Sequence, residues 1–143
     1  MLTVIGTWEL GWNTPIKEVE LWGYPLKEYD VDEWFMSPVS GIASGFPFLH
    51  EDTQMEPRIA LERALGRTIV FVDESATSVG LDDFVHPADA CYVMGKTGLS
   101  PYVAFFRPDL GDRCVVIHTH ANLGGFWAHQ AIAIVLADRK RKE

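Results

Sequence analysis

Thr68-Ile69-Val70-Phe71-Val72-Asp73 is the stretch on which the fold turns. A half-exposed strand alternates apolar with polar residues. An unbroken apolar run suits a strand buried on both faces, as in the centre of a parallel sheet. A helix precedes it: Ile59, Ala60, Arg63 and Ala64 keep helical period between Glu56 and Leu65, and Gly66 is placed to close it. Downstream, Ala90-Cys91-Tyr92-Val93-Met94, ending at Gly95, and Arg113-Cys114-Val115-Val116-Ile117 read as two more strands. Upstream, Leu2-Thr3-Val4-Ile5 is a short first strand bounded by Gly6. Thr14 can cap a helix that has Pro15 in its first position. That helix is expected to reach Trp22 and stop at Gly23, with Pro25 barring continuation. Val31 to Phe48 is aromatic and rich in Pro and Gly, with a strand expected at Trp34-Phe35-Met36 and a loop after it. Phe126 to Arg139 is the last helix, apolar nearly all round from Ala131 to Leu136 and so expected to be buried. Strands alternating with helices predict an α/β fold with a mostly parallel sheet, in one domain spanning 1–143.

Composition narrows the class further. With 48% hydrophobic and 22% charged residues, the 143-residue chain has the makings of a core, which excludes disorder. The longest apolar run, Ala131 to Ala137, is far short of the ~18 residues a membrane span needs. The opening Met1-Leu2-Thr3-Val4-Ile5 lacks a basic segment and does not read as a signal peptide. Cys91 and Cys114 lie in apolar strands without metal-ligand spacing, as reduced, buried thiols of a cytoplasmic protein would. The net charge of −8 is uneven: residues 1–56 hold ten acids against two lysines, and the remainder is neutral. Nucleic acid is met by basic surface, so the first third makes a poor RNA platform. Basic groups gather instead at Arg58, Arg63 and Arg67, and in Arg139-Lys140-Arg141-Lys142, which as a helix end would complement the macrodipole.

Three loops follow the strong strands: Asp73-Glu74-Ser75-Ala76, Gly95-Lys96-Thr97-Gly98, and His118 to Gly125. Ligands of open parallel sheets collect at that edge. Gly95-Lys96-Thr97-Gly98 is not a phosphate loop, since it lacks the upstream glycine and Pro101 blocks the helix such a loop must open. His118-Thr119-His120, with His129 downstream, offers a second reading as a metal-dependent hydrolase. Asp73, Glu74 or His86 would complete that site. Trp8, Trp12, Trp22, Trp34, Tyr24 and Tyr29 suggest either base stacking or, more simply, core and interface.

The order of these pieces resembles the SPOUT class of S-adenosylmethionine-dependent RNA methyltransferases, in its 2′-O-methylating SpoU/TrmH branch. The matching parts are the strand ending at Val72, then Tyr92-Val93-Met94-Gly95-Lys96-Thr97-Gly98, then Ile117 with its loop into Gly125-Phe126-Trp127. The likeness covers residues 68–139. It implies a Rossmann-like sheet with a C-terminal trefoil knot, a homodimer, S-adenosylmethionine as cofactor and RNA as substrate. The cofactor would be held by Val72, Gly95, Lys96, Thr97, Gly98, Ile117, Thr119, Leu123 and Gly125. Faint similarity after the first strand places Asn13 at the family's Asn-Thr pair. The family's reactive arginine then falls on Val19, between Glu18 and Glu20. With no arginine there, Glu18 is the candidate general base and Asn13 its catalytic neighbour. The family's glutamate after the knot glycine is replaced by Lys96-Thr97, and its Ser-x-Asn by Gly125-Phe126-Trp127. Backbone-held cofactor binding can outlast such changes where the usual chemistry does not. A catalytically lapsed member that binds ligand or protein is therefore the alternative.

Overall fold

In a computed structural model the chain is described at residues 1–9, 15–40, 45–51, 54–73, 78–95, 102–119 and 126–143. The expected strands form. They are β1 (Leu2–Thr7), β2 (Glu33–Ser37), β4 (Thr68–Val72), β6 (Ala90–Val93) and β7 (Arg113–Val116). Two more were too short to foresee, β3 (Leu49–His50) and β5 (Val79–Gly80). Together they make one seven-stranded sheet in the order β3-β2-β1-β6-β4-β7-β5. Every pairing is parallel.

Alternation along the strands sorts side chains onto two faces. Val4, Trp34, Met36, Val70, Tyr92 and Val115 join the larger core with Val19, Trp22 and Leu26 of α1 (Pro15–Glu28) and Ile132, Val135 and Leu136 of α4 (Ala128–Lys142). Ile5, Phe35, Ile69, Phe71, Cys91, Val93 and Cys114 face the other way, against Ile59 of α2 (Met55–Ala64), with Phe105 of the short α3 (Tyr102–Phe105) packed beside them. The interior aromatics are core, as the simpler reading expected: Trp8, Trp22 and Trp34 are buried, with Trp22 stacked on Trp34 at 6.2 Å. Tyr24 is exposed at 57%, its ring edge-on to Phe46; Trp12 lies outside the described residues. Neither cysteine is in a disulfide, and both are buried.

Boundaries of two helices are corrected. Helix α1 does not stop at Gly23 but runs through Gly23 and Pro25 to Glu28. An interior proline costs about 3 kcal/mol, yet Trp22 and Leu26, one turn apart, are both fully buried and draw the helix onward. Gly23 serves packing: a Cβ there would run into the Phe46 ring. Helix α2 closes as expected. Gly66 takes φ +90°, with Gly66 N–H donating to Arg63 O and Arg67 N–H to Glu62 O, the Schellman pattern. The last helix starts at Ala128 rather than Phe126, because the Gln130 side chain accepts the Trp127 N–H at 3.0 Å and caps it there. Its final turn holds Arg139, Lys140, Arg141 and Lys142. Among the described residues no helix is long and apolar enough to cross a membrane.

Candidate functional site

Because every strand is parallel, all of their C-terminal ends meet at one edge of the sheet. Backbone bonds carry the ladder one residue past the strands there. Met94 N–H donates to Ile5 O at 2.8 Å, Asp73 N–H to Val115 O at 3.0 Å, and Trp8 N–H to Ser37 O at 2.9 Å. Beyond that line Val72, Gly95, Ile117 and Thr119 are half-buried, where the strands behind them are closed off. Val72 and Ile117 lie on the α1/α4 face against the larger core. They offer an apolar wall at the end of the sheet, a surface that fits a nucleoside such as that of S-adenosylmethionine. Lys96, Thr97, Gly98, Leu123, Gly125 and Asn13 lie outside the described residues.

Strands β4 and β5 flank β7 at this edge. Val72 and Val79 both sit level with Val115, on opposite sides of β7. The Asp73 carbonyl accepts from Ser78 Oγ at 2.8 Å and from Cys114 Sγ at 3.4 Å, which ties the end of β4 to the residue before β5 and to β7. His118 emerges beside it, its ring so near Gly80 that a Cβ there would stand 3.0 Å away.

A second group of residues sits at the β1 end of the same edge. Glu18, in the first turn of α1, is 2% exposed, and its carboxylate accepts the Glu9 N–H at 2.6 Å. Glu9, just past β1, is 6% exposed. His129, second residue of α4, is 7% exposed, and its ring stacks on Trp127 at 6.4 Å. Burial lowers the His129 pKa, and the charge of Glu9 opposes that shift. Buried titratable groups are costly unless paired. Val19, where the resemblance puts the family's arginine, is sealed in the core, whereas Glu18 is turned to the edge. Glu9 was missed by sequence reasoning, since no spacing announces it, and His129 was noted there only beside the His118-Thr119-His120 pair.

The metal reading fares differently. His86, offered as a ligand completing the His118 and His120 pair, is at the opposite edge of the sheet. There Nδ1 meets the Tyr92 hydroxyl at 2.6 Å and Nε2 meets Asp138 at 2.8 Å. Among the described residues no three His, Cys, Asp or Glu side chains gather to hold a metal ion; Glu74 and His120 lie outside them.

Comparison with solved structures agrees with this architecture. The fold is similar to the TrmH/SpoU tRNA modifying enzyme of A. aeolicus, at TM-score 0.72 and 15% identity, covering 99% of this chain and 74% of that one. It is also similar to the SpoU methyltransferase AviRb of Streptomyces viridochromogenes in complex with AdoMet, at TM-score 0.69 and 16% identity, covering 100% and 58%. A third is the rRNA methyltransferase of Sinorhizobium meliloti, at TM-score 0.65 and 12% identity, covering 99% and 56%. The chain thus spans under two thirds of the length of the latter two. No family model and no curated protein matches the sequence. The chain therefore has the SpoU/TrmH fold.

Proposed function

We propose that this chain is an S-adenosylmethionine-binding methyltransferase of SPOUT type, a single cytoplasmic domain whose substrate is RNA. The observation that carries the reading is the half-buried row Val72, Gly95 and Ile117 at the C-terminal edge of a sheet similar to that of an AdoMet-bound SpoU methyltransferase. When bound, S-adenosylmethionine supplies an electrophilic methyl group. Val72 and Ile117 would flank its adenine, Gly95 would let the backbone approach, and Thr119 would offer a hydroxyl at the rim. Lys96, Thr97, Gly98, Leu123 and Gly125 would complete the cradle from the adjoining loops. A trefoil knot in the C-terminal half belongs to the same proposal. A homodimer is supported by Leu21, Tyr24, Phe126 and Trp127, which stay exposed at 38–57%. A 16.1 kDa species alone in sedimentation at micromolar concentration would end that part.

Calorimetry with S-adenosylmethionine and S-adenosylhomocysteine tests the site. Gly95→Val should weaken binding more than tenfold, about 1.4 kcal/mol, with the fold intact. Unchanged affinity would remove the site. The sealed Val19 favours one second reading, a lapsed enzyme that binds the cofactor without transferring its methyl. Binding by wild-type protein without methylation of any RNA pool would put that reading first.

A further inference from the structure

The structure assigns a binding site for a primary ammonium group to the sheet edge opposite the cofactor row, a site the chain fills with its own Lys142. Residues 81–88 and the last turn of α4 build it. Lys142 Nζ donates to Leu81 O at 2.6 Å and to Phe84 O at 3.0 Å, and it meets Asp138 Oδ2 at 2.8 Å. An ammonium group carries three N–H donors, and here each finds an oxygen. The distances are those of charge-assisted N–H···O bonds. The site is independent of the methyltransferase reading.

The oxygens are placed by the surrounding structure rather than by the lysine. Leu81–Asp83 is one turn of 3₁₀ helix, and the residues from there to β6 join no strand, so their carbonyls have no ladder to enter. Leu81 and Phe84 are both buried, which anchors the turn from below. Arg139 takes the next carbonyls, Pro87 O at 2.5 Å and Ala88 O at 2.9 Å, and leaves those of Leu81 and Phe84 to a second cation. Asp138 is held independently, by His86 at 2.8 Å and Arg141 at 2.6 Å. Lys142, in contrast, reaches in from the end of the helix with its side chain 28% exposed. A cavity of about 510 Å³ opens beside it, and through this a free amine can approach. Its lining sets the carboxylates of Asp82, Asp83 and Glu143 against Arg139 once Lys142 is removed, so it draws a cation. Phe84 and Val85 in the same wall can take the amine's carbon chain. Loss of the tether therefore uncovers a site for an alkylammonium ion.

The test compares wild type with Lys142→Ala in thermal unfolding. The probe is methylammonium chloride at about 0.3 M, set against the same concentration of tetramethylammonium chloride, which screens charge equally but has no N–H to donate. Methylammonium should raise the midpoint of Lys142→Ala by about 2 °C or more over the tetramethylammonium value, because a ligand bound only by the folded state stabilises it. Wild type, its site already filled, should show no such difference. Adding Asp138→Asn to Lys142→Ala should abolish the response. Equal responses of wild type and Lys142→Ala to the two salts overturn the site, as does a response that survives loss of the Asp138 charge. A second arm needs no variant to fold. In wild-type protein with ¹⁵N-labelled lysine near neutral pH, an ammonium held by three oxygens should exchange its protons slowly enough to give a ¹H–¹⁵N signal. Exposed lysines such as Lys140, at 70%, should give none. Absence of any protected lysine ammonium overturns the proposal as well.

Discussion

Asp138→Asn removes one negative charge from a buried node on the last helix and leaves its shape. The Asp138 side chain is 6% exposed and bonds His86 at 2.8 Å, Lys142 at 2.8 Å and Arg141 at 2.6 Å. Burial alone would push its pKa up. The bonds from Lys142, His86 and Arg141 outweigh that and hold it down, from 3.8 to about 2. Two units correspond to about 2.5 kcal/mol of folding stability. A depressed carboxylate contributes that stability above its unfolded pKa of 3.8 and loses it as pH falls through about 2. The asparagine keeps an acceptor for His86 and gives up the two ion pairs, so the loss at pH 7 should be about 2–3 kcal/mol. Urea unfolding of both proteins, followed by tryptophan fluorescence at several pH values, reads it. The gap should close as wild type approaches pH 2. A loss under about 0.5 kcal/mol at neutral pH, or a gap undiminished near pH 2, would refute the reasoning.

His86 in the same node should make stability fall on mild acidification. Burial lowers its pKa from 6.5, against the pull of Asp138, so the folded state prefers the neutral ring. Its contribution is complete above 6.5 and drains away as pH drops below, and His86→Gln should flatten the unfolding profile there. Gly6→Val should cost about 1–3 kcal/mol or more in thermal or urea unfolding, since a Cβ at Gly6 would stand 2.7 Å from the Trp22 ring and 2.9 Å from the Met36 sulfur. An unchanged midpoint would mean that the helix lifts from the strand at no cost. Cys91, its thiol pushed up to about 12 by burial, should resist thiol reagents in native protein and react promptly in denaturant.

The sheet could be read in the sequence because its central strands are buried on both sides. Hydrophobic runs such as Ile69 to Val72 need no partner to be recognised. Two-residue strands such as Leu49–His50 and Val79–Gly80 carry no period at all, and only their neighbours make them strands. Gly23 and Pro25 carry the backbone signature of a helix end, yet Gly23 makes room for the Phe46 ring and burial carries the helix past Pro25. Of the candidate site, the edge carrying Val72, Gly95 and Ile117 followed from strand order alone. The pairing of Glu18 with the Glu9 amide did not. Such contacts are made by topology, and topology is what a single sequence reveals least.

Strand β7 has a consequence for how this protein comes into being. It fills the slot between β4 and β5, two strands made more than thirty residues earlier. While the chain is being synthesised, that gap stays open, with backbone groups of both strands unpaired, until residues 113–116 emerge. The lid over the larger core arrives later still, with α4 at 128–142. A nascent chain halted between those points exposes two strand edges and an uncovered apolar face, the features that invite aggregation. Synthesis pauses within residues 81–112 should therefore be poorly tolerated, and chaperone demand greatest there.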